Sequence, residues 1–335
     1  MHAGRKYKLS EFLVWTRRDI YTLIILAIIP TVLYAVFDFT WLGVTWLPIA
    51  LLGTAAAFIA GFRNNATYAR AWEARQIWGG IVNSSRIWGI MSRDFVSSKD
   101  ASAAKLDQIH KELVYRHIGW LTALRFQLRE PRTWENMEKS YNKEYRKYFT
   151  VDEKVNKLED ELRQYLPDDE FTAVLKNKNR ATQIIALQSA HLKRLAEHGY
   201  IENNRLVELE LILKDLYDHQ GKSERIKNFP YPRQFATINI FFIWLFVFMV
   251  PYGMLNEFNK LGEGMVWLTI PFSVIVTWVF TSLERVGEST ENPFEGSAND
   301  VPITTMSRTI EIDLREMLGE TDLPPAIQPV NNILT

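Results

Sequence analysis

"GTAAAFIAGFRNN", residues 53–65, carries no charge until Arg63. In a helix, side chains four apart stack on one face, so Thr54, Phe58 and Phe62 form a stripe. Gly53, Ala57 and Gly61 form the adjacent stripe, about 100 degrees around the axis. The second stripe is a small-xxx-small repeat, a pattern that lets helix backbones approach closely. One face is therefore expected to pack and its neighbour to present two aromatic rings. If several copies of the helix surround an axis, the rings form a narrow apolar collar, and such collars control ion flow by dewetting. Rings that face lipid or fill a helix junction fit the same spacing, so these residues alone leave the choice open.

This stretch closes one of four apolar runs that reach the length needed to cross a bilayer, roughly 20 residues. The runs are about Ile20–Phe37, Leu42–Phe62, Phe235–Leu255 and Met265–Leu283, and none contains Lys, Arg, Asp or Glu. Uncharged runs of this length are rare in soluble cores. Arg5, Lys6, Lys8, Arg17 and Arg18 precede the first run, Arg63, Arg70 and Arg75 follow the second, and Arg225, Lys227 and Arg233 precede the third. The two short connections on the other side hold one basic residue, Lys260. The positive-inside rule then puts both termini and the long middle segment in the cytoplasm. Trp41, Trp46, Tyr252 and Trp267 fall near the outer ends, as an aromatic belt would. Pro30, Pro48 and Pro271 lie inside spans, where each is expected to free a backbone carbonyl for a neighbouring helix to satisfy.

The expected fold is all-α: a multi-pass membrane protein with a large helical cytoplasmic portion. Residues 1–63 form an N-terminal segment and two spans, 64–234 the cytoplasmic helical region, 235–284 two further spans, and 285–335 a turn, a helix and a tail. Within the middle, "SSKDASAAKLDQIHKELVYRHIGWLTALRFQLRE" offers polar caps and then Ile109, Leu113, Ile118, Leu121 and Leu124 near helical spacing. "LPDDEFTAVL" starts another short helix. Gly199 and Gly221 each follow a helical pattern and read as helix ends.

Composition excludes several function classes. The 335 residues carry 39 basic and 39 acidic side chains, so no net field draws the chain to nucleic acid. There is no cysteine, which rules out disulfides and thiolate metal sites. The mean hydropathy of -0.13 averages a charged middle with apolar flanks. No short apolar run with a cleavage site marks a signal peptide. His110 and His117 are seven apart, as are His191 and His198, too far for one helix to hold a metal between them. The phosphate-cradling G-x-x-x-x-G-K pattern is absent, and no nucleophile, base and oxyanion donor stand together as an enzyme would require.

Two blocks carry a family resemblance. The first is Gly61-Phe62-Arg63-Asn64, then Tyr68-Ala69-Arg70, Glu73-Ala74-Arg75 and Trp78-Gly79. The second is Asn292-Pro293-Phe294 followed by Asn299-Asp300-Val301-Pro302. Together they resemble the bestrophin family, in its bacterial branch. The likeness covers nearly the whole chain in layout and is specific in these blocks. It is weak between about residues 95 and 180.

The resemblance implies a homopentameric ion channel in the cell membrane, its identical subunits around one central pore. Family members line a membrane neck with three apolar positions of the second span, here Thr54, Phe58 and Phe62 by position against the Gly-Phe motif. The first is usually a branched aliphatic residue; threonine departs from this and is expected to hydrate the outer neck. Animal members conduct anions, chiefly chloride, and some bacterial members favour monovalent cations. Phenyl rings presented edge-on favour chloride, and rings presented face-on favour a cation. Arg63, one residue past the neck, is expected to snorkel or to pair with an acid.

The second block corresponds to the calcium clasp of animal members, where acidic residues follow the Asn-Pro-Phe motif. Here Glu291, Asn292, Glu295 and Asp300 occupy that region, but Ser297 and Ala298 replace acids. Calcium needs six to eight oxygens, so Glu295 and Asp300 are its candidate ligands, and Asp300 as a cap for a helix beginning at Pro302 is the competing reading. That helix is expected to end at Gly319, with the tail running extended over a neighbouring subunit. A second constriction, the cytoplasmic aperture, falls within Asn203, Asn204 and Arg205, which gives it a polar rim. Besides an anion channel, a cation-selective channel of the same build and a non-conducting membrane scaffold fit the residues. A secondary transporter does not, since no span holds an ionisable residue and no inverted repeat is visible.

Overall fold

A computed structural model describes residues 1–262 and 264–335. Its described residues form twelve α-helices: α1 Leu9–Ala35, α2 Trp46–Phe95, α3 Ala103–Arg129, α4 Ser140–Tyr145, α5 Asp152–Val155, α6 Leu158–Leu162, α7 Asp168–Leu175, α8 Arg180–Glu197, α9 Asn203–Asn228, α10 Arg233–Asn259, α11 Thr269–Ser289 and α12 Ile303–Met317. The only strand-like pairings among them are isolated bridges, His2 with Ile333 and Val330 with Ile333.

The chain divides into two compact units. One, the membrane unit, comprises residues 4–70 and 230–291. In it α1 packs on α10 and α11, and α10 packs on α11. Four helices here are long and apolar enough to cross a membrane. The core is slender: Leu23, Ile49, Ala56, Ala60, Ile243, Phe246, Val247 and Val250. Two of its buried hydroxyls turn back on their own helices, Thr31 donating to the Ala27 carbonyl at 2.8 Å and Thr277 to that of Ser273 at 2.6 Å. This i−4 bond satisfies a polar group where no water is available.

The prolines behave differently from the sequence expectation. Pro48 and Pro271 each sit third in their helices, where no intrahelical partner exists for the missing N–H, so neither frees a carbonyl. Pro30 and Pro251 are the interior ones.

The other, the polar unit, comprises residues 1–3, 71–229 and 292–335. Helix α3 is its centre, packed by α8, α12, α6 and α9. Ser102 caps α3 by accepting the Lys105 N–H at 3.3 Å. Trp78, Trp88 and Trp120 are fully buried in this core. Helix α8 ends at Glu197, and Gly199 takes the left-handed conformation (φ +77°) that a side chain would strain. Gly221 is different. Helix α9 runs straight through it to Asn228, because Ser223 and Ile226 beyond the predicted end continue the buried face.

The C-terminal tail lies along its own α12. Arg315 donates to the Asp322 carbonyl at 2.7 Å, and Thr305 N–H to the Thr335 carbonyl at 2.8 Å.

Candidate permeation site

Helix α2 is continuous over 50 residues, and its first half carries the aromatic stripe. Phe58 and Phe62 are 66% and 62% exposed, and Thr54 is exposed with them. The ring centroids lie 4.5 Å apart with planes at 86°, an edge-to-face pair. Thr54 Oγ1 donates to the Ala50 carbonyl at 3.0 Å, so its proton is spent inside the helix.

The predicted packing stripe is only partly a seam. Gly53 is buried, and a Cβ there would stand 2.6 Å from the Phe246 ring. Ala57 and Gly61 are exposed, and nothing lies within 4 Å of a Cβ built on Gly61. The intrachain seam runs instead through Ile49, Gly53, Ala56, Ala60 and Arg63. Steps of three and four keep to one face of a 3.6-residue helix, whereas repeated steps of four drift off it.

Arg63 is 3% exposed and bonds Glu284 at 2.8 Å and Glu291 at 3.1 Å. Arg233 lies 2.9 Å from the second oxygen of Glu291, and Arg70 Nε donates to the Glu291 carbonyl at 2.9 Å. The arginine is thus consumed by carboxylates and does not join the aromatic stripe. Glu284 was missed by sequence reasoning. Its signal is weak: one acid just past an apolar run, matched to one arginine just past another.

At the start of α9, Asn203 and Asn204 are exposed. Arg205 is drawn aside by Glu202 at 3.5 Å and by the Phe95 ring at 5.6 Å. One turn on, Val207 is 58% exposed, an aliphatic residue that the sequence reading passed over.

The clasp-like residues are buried and separately engaged. Glu291 belongs to the arginine network of the membrane unit. In the polar unit Asn292 Nδ2 donates to Glu295 Oε2 at 3.4 Å, and the Asn136 N–H donates to the same oxygen at 2.9 Å. Asp300 accepts from the Gly296 N–H at 2.7 Å, from the Ser297 hydroxyl, and from Arg129 at 3.5 Å. Asp300 therefore closes its own turn and does not cap α12, whose cap position is Pro302 with no side-chain bond. Burial, with Asp300 nearby, pushes Glu295 up to about 8, so it keeps its proton at neutral pH. These residues are a poor fit for calcium: Glu295 Oε2 already accepts from Asn292 and Asn136, and Asp300 from Gly296, Ser297 and Arg129. Among the described residues no group of three or more His, Cys, Asp or Glu could hold a metal.

The histidines have structural partners. His117 is buried with Nε2 2.9 Å from the Ser85 hydroxyl, and His191 Nδ1 is 2.9 Å from Arg116. Desolvation lowers His117 to about 3 and His191 to about 4. His110 meets the Val96 carbonyl at 2.8 Å and His198 that of Arg194 at 2.7 Å.

Four membrane-length helices, with an unpartnered aromatic stripe on one of them and a separate helical polar unit, define a multi-pass α-helical membrane protein. Residues 14–316 match the family described as "Bacterial/Fungal Bestrophin protein", and the chain belongs to that family. It is 27% identical to the voltage-dependent anion channel-forming protein YneE of Escherichia coli (strain K12) over 293 residues, 87% of this chain and 83% of that protein. It is 28% identical to the voltage-dependent anion channel-forming protein RSc3414 of Ralstonia nicotianae over 290 residues, 84% of this chain and 82% of that one. A solved bacterial bestrophin homologue from Klebsiella pneumoniae shares the fold, with a TM-score of 0.75 over 92% of this chain and 99% of its own, at 24% identity.

Proposed function

We propose that this chain forms a homopentameric anion channel, with Thr54, Phe58 and Phe62 of each subunit lining a membrane neck. The observation that carries the reading is the edge-to-face ring pair, exposed on a helix whose opposite face is buried. Two perpendicular ring planes cannot both turn their faces to one axis. At least one ring per subunit then offers its edge, and the edge is the positive side of the phenyl quadrupole. Five such edges favour an anion such as chloride without any fixed charge in the spans. The names of the relatives, which describe anion-channel-forming proteins, support the same sign.

The exposed Ala57 and Gly61, next to the rings, are the surface that a neighbouring subunit approaches. Their small size lets α2 of one subunit lie close to the next. Arg63 acts as the brace below the neck, its charge neutralised by Glu284 and Glu291. A second constriction falls at the start of α9, within Asn203–Arg205 or at exposed Val207. Both termini and the polar unit lie in the cytoplasm, by the basic residues that flank the spans.

Reconstitution in planar bilayers with a chloride gradient tests the reading. The reversal potential is expected to follow chloride. One that follows sodium or potassium would make the channel cation-selective, and the absence of current would leave a non-conducting membrane scaffold. Particle counting on the purified protein checks the five subunits.

A further inference from the structure

The polar unit holds a cavity of about 210 Å³, walled by α3, by α5 and α6, by α12, and by Ile327 of the tail. Its wall carries two arginines, Arg125 and Arg308, and three carboxylates, Asp152, Glu161 and Glu311. Two of the carboxylates are taken. Glu161 meets Arg125 through one oxygen and accepts from Asn156 Nδ2 at 2.9 Å through the other. Glu311 meets Arg308 at 3.0 Å and accepts from the Tyr165 hydroxyl at 2.9 Å. Asp152 is half-buried, and among the described residues no cation stands within 4.0 Å of its carboxylate.

The donor-bearing side chains of the wall already donate. Arg125 also meets Glu153, Arg308 donates to the Pro325 carbonyl at 3.3 Å, and Gln164 Nε2 donates to the Glu161 carbonyl at 3.1 Å. Asn156 and Gln164 thus turn their amide nitrogens to acceptors and leave their amide oxygens unused. Thr122 supplies an independent sign of a ligand. It lines the cavity and is only 3% exposed, yet its hydroxyl bonds to nothing among the described residues. Its oxygen is not among the unpartnered atoms sealed inside the protein, so it opens on the cavity. A hydroxyl so nearly buried is costly without a partner, and a bound donor removes that cost.

What remains is one unmatched carboxylate surrounded by neutral oxygens. A ligand that only donates answers that set, and an ammonium group has three N–H donors and no acceptor. One unmatched carboxylate calls for one positive charge. Burial, followed by Glu153, holds Asp152 above the ordinary carboxylate value, as expected of an acid short of positive charge. Ile118, Leu121 and Ile327 add an apolar wall, which suits a short alkyl chain and not a bare ion.

We propose that this cavity binds a short primary alkylammonium ion. Asp152 takes its charge, the oxygens of Asn156, Gln164 and Thr122 share the remaining N–H bonds, and Ile118, Leu121 and Ile327 cover the chain.

Equilibrium dialysis of radiolabelled n-butylammonium against the detergent-purified full chain at pH 7 tests this. One saturable site per chain is expected. Asp152→Asn is expected to weaken binding by about tenfold or more through the loss of a charge-assisted bond, and Thr122→Val by about two- to tenfold. Asp152 has no ion pair to lose, so the thermal midpoint of its variant should not fall. Should it fall, Thr122→Val decides, and unweakened binding there overturns the site. Glu197→Gln, at the exposed end of α8, should leave uptake unchanged. Competition reads the chemistry. Tetramethylammonium has the charge but no N–H, and n-butanol has the chain but no charge, so each should compete more weakly by about tenfold or more. No saturable uptake, or equal uptake by the wild type and Asp152→Asn, overturns the site. Equal competition by tetramethylammonium overturns the hydrogen-bonded fit, and equal competition by n-butanol overturns the role given to Asp152.

Discussion

The two units bury their shares of α2 differently. In the membrane unit its buried apolar positions are Ile49, Ala56 and Ala60, with Gly53 beside them, and large apolar side chains such as Leu51, Phe58 and Phe62 lie outside. In the polar unit its buried positions include Trp78, Ile81 and Trp88. Water makes burial of large apolar groups favourable, whereas lipid does not, so there the drive passes to close backbone packing by small residues. An aromatic side chain therefore means different things along one helix. Buried in the polar unit it holds the fold; exposed in the membrane unit it faces lipid, a neighbour or a pore.

Substitution at the polar core should have the largest effect. Trp120 is fully buried and its Nε1 donates to Gln220 Oε1 at 2.8 Å, tying α3 to α9. Trp120→Ala is expected to cost about 3–5 kcal/mol, seen as a fall in the thermal midpoint in detergent. A loss near zero would mean that this core does not govern unfolding. In the membrane unit the counterpart is overpacking. Gly53→Leu forces a side chain against Phe246 and is expected to cost about 1–3 kcal/mol. Gly61→Leu has open space within the chain, so if the subunits assemble through this stripe it should break up the oligomer and leave the subunit fold intact. Particle counting reads that difference.

The pH dependence belongs to the polar unit. Glu295 keeps its proton in the fold up to about 8, while the unfolded chain releases it near 4.3. Between those values the folded state holds more protons, so stability falls as pH rises. His117 acts oppositely: lowered to about 3, it is neutral in the fold, so stability falls as pH drops below about 6.5. His191 acts in the same direction as His117, and burial lowers the Met1 amine from 8.0 to about 5, so it opposes Glu295 across the same window. Glu295→Gln should therefore make stability rise more steeply with pH, by at most about 1.4 kcal/mol per pH unit between about 6.5 and 8. Thermal midpoints of wild type and variant at the two ends of that window would show it, and identical slopes in the two would exonerate Glu295.

The membrane architecture was legible because bilayer thickness writes itself into run length, and the four runs became α1, the first half of α2, α10 and α11. Thr54, Phe58 and Phe62 share a face because 3.6-residue periodicity requires it. The true seam was not legible: Gly53, Ala57 and Gly61 look alike in sequence, and only Phe246, almost 200 positions away, singles out Gly53. The fate of Asp300 was hidden for a similar reason. Its donors Gly296 and Ser297 are local, but Arg129 comes from the end of α3. Gly221 misled because a glycine after a helical pattern resembles an end, and the apolar residue that keeps the helix going, Ile226, comes five positions later.

The smallest stability effect is the sharpest test of the comparison. Phe58 and Phe62 touch each other and are otherwise exposed within the subunit, so Phe58→Ala with Phe62→Ala removes mainly their mutual contact, worth about 0.5–1.5 kcal/mol. If the rings fill a junction between subunits, the oligomer should instead weaken markedly, because two large side chains leave a cavity. If they face lipid, neither stability nor current should respond. If they line a neck, the thermal midpoint should barely move while single-channel conductance rises, since widening an apolar constriction lowers the cost of keeping it wet. Measuring midpoint and conductance on the same preparation separates the three, and only the pairing of a small thermal shift with a large conductance change is compatible with rings around a conducting axis.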